Sequence, residues 1–187
     1  MQTEEKKLVA DCIAGNLNAK RNLYDLYAGK LFTICLRYTK NHTDAEDVLQ
    51  DAFLKILENI KQFRLEGSLE GWMKRIVVNT AIKQYHENSY KHLFVVNIET
   101  VEDDLQDAIQ DDEQLPDYSE DELHEMIHSL APGYRMVFSL YAIEEYSHKE
   151  IAQLLEISEG TSKSQLARAR VVLQNMIREK QKKTKYA

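Results

Sequence analysis

Chain breakers are so scarce in this sequence that they dictate its architecture. Two prolines and six glycines interrupt 187 residues, and Gly15, Gly29, Gly67, Gly71, Gly133 and Gly160 nearly all stand where a helically spaced apolar pattern pauses. Proline removes a backbone donor, and glycine costs about 1 kcal/mol in a helix interior. A chain this poor in both predicts an all-α fold.

Charge divides that helical chain into parts. The formal net charge is −7, but residues 1–95 carry 14 Lys+Arg against 12 Asp+Glu, residues 96–130 carry 0 against 13, and residues 131–187 carry 10 against 6. The acid is concentrated in the middle, where Glu99 to Glu122 has weak periodicity and holds Pro116. This reads as an acidic linker over residues 93–121, between helical domains at 1–92 and 122–178, with a solvated basic tail at 179–187. Leu93-Phe94-Val95-Val96 reads as a short extended piece. Both ends remain eligible for nucleic acid, because binding depends on the local field of a basic face.

Composition excludes several classes. Cys12 and Cys35 have no CxxC partners, so they read as small core residues, not as a disulfide or zinc framework. No stretch approaches the ~18 apolar residues of a membrane span, and MQTEEKKLVADC lacks the apolar core of a leader. The expectation is a cytoplasmic protein without membrane insertion.

Along the N-terminal half, Leu8, Cys12, Ile13, Leu23, Leu26 and Tyr27 fall at helical spacing around a break at Gly15. After Gly29, a second apolar face follows through Leu31, Phe32, Ile34, Cys35 and Tyr38. The strongest pattern runs from Ala45 through Val48, Leu49, Ala52, Phe53, Ile56, Leu57 and Ile60, with Glu46, Asp47, Gln50 and Asp51 in its first turns. Glu46, Asp47 and Asp51 there suit either the helix dipole or a protein-docking face. A loop, Phe63 to Gly71, leads into another amphipathic helix that begins with Trp72 and carries Lys74, Arg75, Asn79, Thr80, Lys83, Gln84 and His86 on its polar side. A Trp there suits a core as well as a base-stacking surface, and the polar residues are types that hold phosphates and base edges.

In the C-terminal half, Ser147 and Glu150 form a capping box ahead of Ile151, Ala152, Leu154 and Leu155. A turn through Glu156, Ile157 and Ser158 leads to a helix opening Gly160, Thr161, Ser162, Lys163, Ser164, Gln165 and running past Arg168 and Arg170. Short polar and basic side chains at the start of a second helix are the layout of a helix-turn-helix that enters the major groove. Two packed helices of any small bundle would also produce it.

A competing motif lies at His124-Glu125-Met126-Ile127-His128, which fits the HExxH signature of zinc peptidases. Leu123, Met126, Ile127 and Leu130 make the buried stripe there and leave both histidines on its flank, and nothing predicts a sheet to present substrate.

The stretches DAEDVLQDAFLKIL (44–57), FRLEGSLEGWMKRIVVNTAIKQY (63–85) and LAPGYRMVFSLYAIEEYSHKEIAQLLEISEGTSKSQLARAR (130–170) resemble, in order and spacing, those of extracytoplasmic-function sigma factors of bacterial RNA polymerase, in the sigma-70 family. The resemblance implies a sigma-2-like domain and a sigma-4-like helix-turn-helix domain in a transcription factor that catalyses nothing and needs no cofactor or metal. It implies core polymerase docking by Asp47, Gln50 and Asp51. It implies −10 recognition and melting by Phe63, Arg64, Ser68, Trp72, Arg75, Asn79, Thr80 and Lys83. In the helix-turn-helix, Thr161, Lys163, Ser164, Gln165 and Arg168 are the residues expected at the −35 element. Core polymerase and promoter DNA, duplex at −35 and single-stranded at −10, are the implied partners, with an anti-sigma factor as a further one. The alternative is a stand-alone helix-turn-helix regulator, which would have no need of DAEDVLQDAF or GSLEGWMKRIVVNT.

Overall fold

The computed structural model describes residues 2–92 and 118–185, and every regular element among them is helical. The helices form two compact units that divide between Lys91 and His92.

In the first unit, α1 (Gln2–Ile13) and α2 (Leu17–Tyr38) are separated by Gly15, whose φ of +84° lies in the left-handed region that favours glycine. Asn16 then caps α2, its side-chain oxygen accepting from the backbone N–H of Asn18 at 2.9 Å and Ala19 at 3.2 Å. Contrary to the pause read at Gly29, α2 continues straight through it. The reason is packing: Leu23, Leu31, Ile34, Cys35 and Tyr38 share one buried stripe on both sides of the glycine. Asn41 caps α3 (His42–Asn59) by accepting from the Asp44 N–H at 2.8 Å. A 3₁₀ turn (Ile60–Gln62) and the 63–68 loop lead to α4 (Leu69–His92).

The core of this unit is Val9, Cys12, Leu23, Leu31, Val48, Ala52, Ile56, Leu69, Met73 and Val77, all at or below 2 % exposure. Each large member contributes about 1.5–3 kcal/mol by leaving water. Both cysteines are buried and free. Burial pushes the Cys35 thiol up to about 12 and raises that of Cys12, so both stay protonated. Two polar links fasten α4: its first N–H, on Leu69, donates to Glu5 of α1 at 3.3 Å, and Glu70 pairs with Lys30 of α2 at 2.8 Å.

In the second unit, α5 (Glu120–Ser129) opens with a capping box between Ser119 and Glu122. Pro132 starts α6 (Pro132–Phe138) at the position where its missing N–H costs nothing. A π-helical turn (Ser139–Ile143) follows, then α7 (His148–Leu155) and α8 (Glu159–Lys185). The long α8 packs against α5, α6 and α7. Met136, Val137, Leu140, Ile151, Leu166 and Ala169 fill the space between them.

Two expectations need revision. The basic tail at 179–187 is no separate segment as far as Lys185, because α8 runs on to that residue and Lys180 reaches Glu122 of α5 at 3.4 Å. Helix α5 already begins at Glu120, inside the span read as linker. The rest of that linker, including the extended piece at 93–96, lies outside the described residues.

Candidate nucleic-acid interface

The loop before α4 builds a cleft. Leu65 (φ +58°) and Gly67 (φ +97°) both take left-handed backbone, which turns the chain sharply between Phe63 and Ser68. The Ser68 hydroxyl then caps α4, accepting from the Gly71 N–H at 3.2 Å. Phe63 is 7 % exposed and lies 5.6 Å from the half-buried Trp72, centroid to centroid. Around this aromatic floor Arg64, Ser68 and Arg75 line a cleft of about 410 Å³. The volume is in the range of small-molecule pockets.

Five of the eight residues expected at the −10 element therefore meet in one place: Phe63, Arg64, Ser68, Trp72 and Arg75. Asn79 and Lys83 follow Arg75 at four-residue steps and are exposed, so they extend the same face along α4. Lys83 lies 3.6 Å from Glu87, an exposed pair of little energetic consequence.

Thr80 does not belong to that face. It is 5 % exposed, its hydroxyl donates to the Ile76 carbonyl at 2.8 Å, and it accepts from the Lys55 ammonium of α3 at 3.1 Å. The resemblance placed it with the DNA residues, but a threonine that satisfies its own hydroxyl within the helix can be buried. Gln62, at the end of the 3₁₀ turn, was not anticipated as a lining residue of the cleft. No residue pattern announced it, because the turn alone brings it there.

On α3, Asp47, Gln50 and Asp51 are exposed and lie on one face. Leu54 extends that face at i+7 from Asp47, one turn beyond Gln50 and Asp51, and is 60 % exposed. Its sequence signal was an apolar residue out of phase with the buried stripe.

In α8, Ser162, Leu166 and Ala169 form the buried line. Thr161, Gln165 and Arg168 fall on one flank of it, at i, i+4 and i+7, while Lys163 falls on the other with Arg170 at i+7. The five expected −35 residues are thus not all on one stripe. Thr161 and Ser158 share a hydroxyl contact of 2.8 Å at the start of the helix, where the Thr161 N–H also donates to Ser158 Oγ at 2.9 Å. Ser164 donates back to the Thr161 carbonyl at 3.0 Å. Gln165 is turned toward α6, so that a Cβ at Gly133 would come within 3.4 Å of its side-chain amide. Lys163 is exposed. Arg170, exposed and 5.9 Å from the centre of the Tyr141 ring, is the residue the expectation missed on that flank.

His124 and His128 sit one turn apart on α5, but no three His, Cys, Asp or Glu groups come together among the described residues.

The family model for Sigma-70 region 2 matches residues 23–89, and that for Sigma-70, region 4 matches residues 120–173. The ECF RNA polymerase sigma factor SigW of Bacillus subtilis is 27% identical over 186 residues, covering 96% of this chain and 100% of the relative. The ECF RNA polymerase sigma-E factor of Haemophilus influenzae is 28% identical over 183 residues, covering 94% and 96%. Among solved structures, the sigma factor RpoE in complex with the anti-sigma factor NepR from Bartonella quintana aligns with a TM-score of 0.49 at 22% identity, over 84% of this chain and 96% of that one. With region 2 containing the cleft and the acidic face, and region 4 containing the helix-turn-helix, the chain belongs to the sigma-70 family, and over nearly its whole length it is similar to extracytoplasmic-function members of that family.

Proposed function

We propose that this sigma factor reads its promoter with two separate surfaces and docks on core polymerase with a third. The family function is promoter-directed transcription initiation in association with core RNA polymerase, and a sigma factor catalyses no reaction of its own. In the division of labour proposed here, the α4 cleft takes an unstacked base of the −10 strand, and Arg75, Asn79 and Lys83 hold the strand beside it. Unstacking a base costs a few kcal/mol, which stacking and edge contacts in a pocket offset. The N-terminal half of α8 reads the −35 duplex, with Lys163 as its clearest outward contact. Asp47, Gln50, Asp51 and Leu54 dock on the polymerase.

The single observation that supports this most is the convergence of Phe63, Arg64, Ser68, Trp72 and Arg75 on one cleft at the start of α4. A stand-alone operator-binding regulator has no use for such a cleft. An anti-sigma protein, the further partner expected, would compete with polymerase for the α3 face. No described helix is long and apolar enough to cross a membrane, and we place the site of action in the cytoplasm with the polymerase.

The test is reconstitution. Adding the full chain to sigma-free core polymerase on a promoter-fragment library should yield discrete transcripts, whereas tight duplex binding without core and no transcript would favour the stand-alone regulator.

A further inference from the structure

The recognition helix carries a polar residue where a helix–helix contact ordinarily has an apolar one. Ser162 is 0 % exposed, lies between Thr161 and Lys163, and its Oγ is 2.9 Å from Nδ1 of His148, the first residue of α7. The imidazole is stacked on Tyr141 of the π-helical turn, with ring centroids 4.6 Å apart and planes 23° from parallel. Arg170, two turns further along α8, also lies against Tyr141, 5.9 Å from the ring centre.

We propose that His148 and Ser162 form a polar lock that sets the rotation of the recognition helix, and hence which −35 bases are read; this rests on the −35 reading of α8 given above. An apolar contact tolerates small rotations because dispersion is nearly isotropic, whereas a hydrogen bond is directional. A buried hydroxyl with its partner removed is costly, so the arrangement holds α8 at the one rotation where Ser162 meets His148. Stacking on Tyr141 stops the imidazole from turning away. Because successive side chains on a helix are 100° apart, fixing Ser162 fixes the direction in which Lys163 leaves α8. Arg170 over the same tyrosine pins that rotation at a second point. His148 and Ser162 are therefore positioning residues, set back from the DNA, and they act through the residues that touch it.

The experiment uses the full chain with core polymerase on a promoter library randomised at −35. Ser162→Ala and His148→Phe should each change the ranking of −35 sequences and lower transcription from the preferred one about tenfold, with core affinity unchanged. Ser162→Thr, which keeps the hydroxyl, should restore the wild-type ranking. The double variant His148→Phe/Ser162→Val replaces the lock by an apolar contact, and keeps the test available should a single variant unfold. It should fold by thermal melting yet show an altered ranking. A wild-type ranking in the folded variants, with all promoters weakened alike or none weakened, overturns the lock. Lys163→Ala separates the two levels: if it too leaves −35 recognition intact, the −35 reading of α8 has failed; if it weakens recognition while the lock variants rank normally, only the lock has failed.

Discussion

The ring of Phe63 lies 5.6 Å from that of Trp72, and the two differ sharply in burial: Phe63 is 7 % exposed while Trp72 is half-buried and faces the cleft. One is the foundation and the other the working surface. Phe63→Ala should cost about 3 kcal/mol of stability, as a truncated buried aromatic does, and lower the melting temperature. Trp72→Ala should leave the melt much less changed but slow open-complex formation at least tenfold. Thermal denaturation and permanganate reactivity of promoter thymines measure the two effects; a large loss of stability with normal melting of DNA in Trp72→Ala would assign the tryptophan to the core.

Thr80 should behave unlike its neighbours on α4. Thr80→Val removes the acceptor for the Lys55 ammonium and should cost about 1 kcal/mol of stability, without altering affinity for a single-stranded −10 oligonucleotide in the holoenzyme. Arg75→Ala, Asn79→Ala and Lys83→Ala should each weaken that affinity at little cost in stability. Selective loss of oligonucleotide binding in a fully folded Thr80→Val would return this residue to the interface.

The contrast between Thr80 and Asn79 marks the limit of what the sequence discloses. Apolar spacing was enough to read α3, because Ala45, Val48, Ala52 and Ile56 can share a buried face only in a helix. Residues that bury by satisfying themselves locally, like Thr80 with the Ile76 carbonyl, look polar until the helix is built. Gly29 looked like a break because the cost of one glycine is visible, while the continuous packing of Leu23 and Leu31 that outweighs it is tertiary. The π-helical turn at Ser139–Ile143 and the continuation of α8 to Lys185 are likewise properties of packed elements. At the candidate site the resemblance named Phe63, Arg64, Ser68, Trp72 and Arg75, and one loop and one helix start bring them to a single cleft. The division of Thr161 and Lys163 between opposite flanks of α8 was not legible, since it requires knowing which side faces the core.

Leu54 should contribute to docking out of proportion to its type. A 60 % exposed leucine one turn beyond Gln50 and Asp51 offers apolar area that docking would take out of water. Leu54→Asp should weaken core polymerase affinity at least tenfold, about 1.4 kcal/mol, while stability changes by only about 0.5 kcal/mol. Surface plasmon resonance against immobilised core, beside a denaturant melt, decides it; an unchanged affinity removes Leu54 from the docking face.

The helix-turn-helix carries its own acid sensitivity. Glu150 receives the Ser147 hydroxyl at 2.7 Å and its N–H at 2.8 Å, and these bonds, the hydroxyl foremost, hold the carboxyl below the usual carboxylate range. A folded-state value below the unfolded one means that the contribution is fully present above about pH 4.3 and fades as pH falls through the lower folded value. Wild type should therefore lose stability more steeply below about pH 4.3 than Glu150→Gln. Ser147→Ala should cost about 1 kcal/mol at neutral pH. Coincident acid limbs for wild type and Glu150→Gln would show that the capping box adds nothing.

In the function proposed above, the α4 cleft receives a single unstacked base. The most direct test of that reading places 2-aminopurine at each position of the −10 non-template strand in turn and follows fluorescence as the complete holoenzyme opens the promoter. A distinct fluorescence change is expected at one position, where the base leaves the stack for the cleft, with loss of that signal in Trp72→Ala although the holoenzyme still assembles. A uniform change along the element, or a single-position signal that survives Trp72→Ala unaltered, would contradict it.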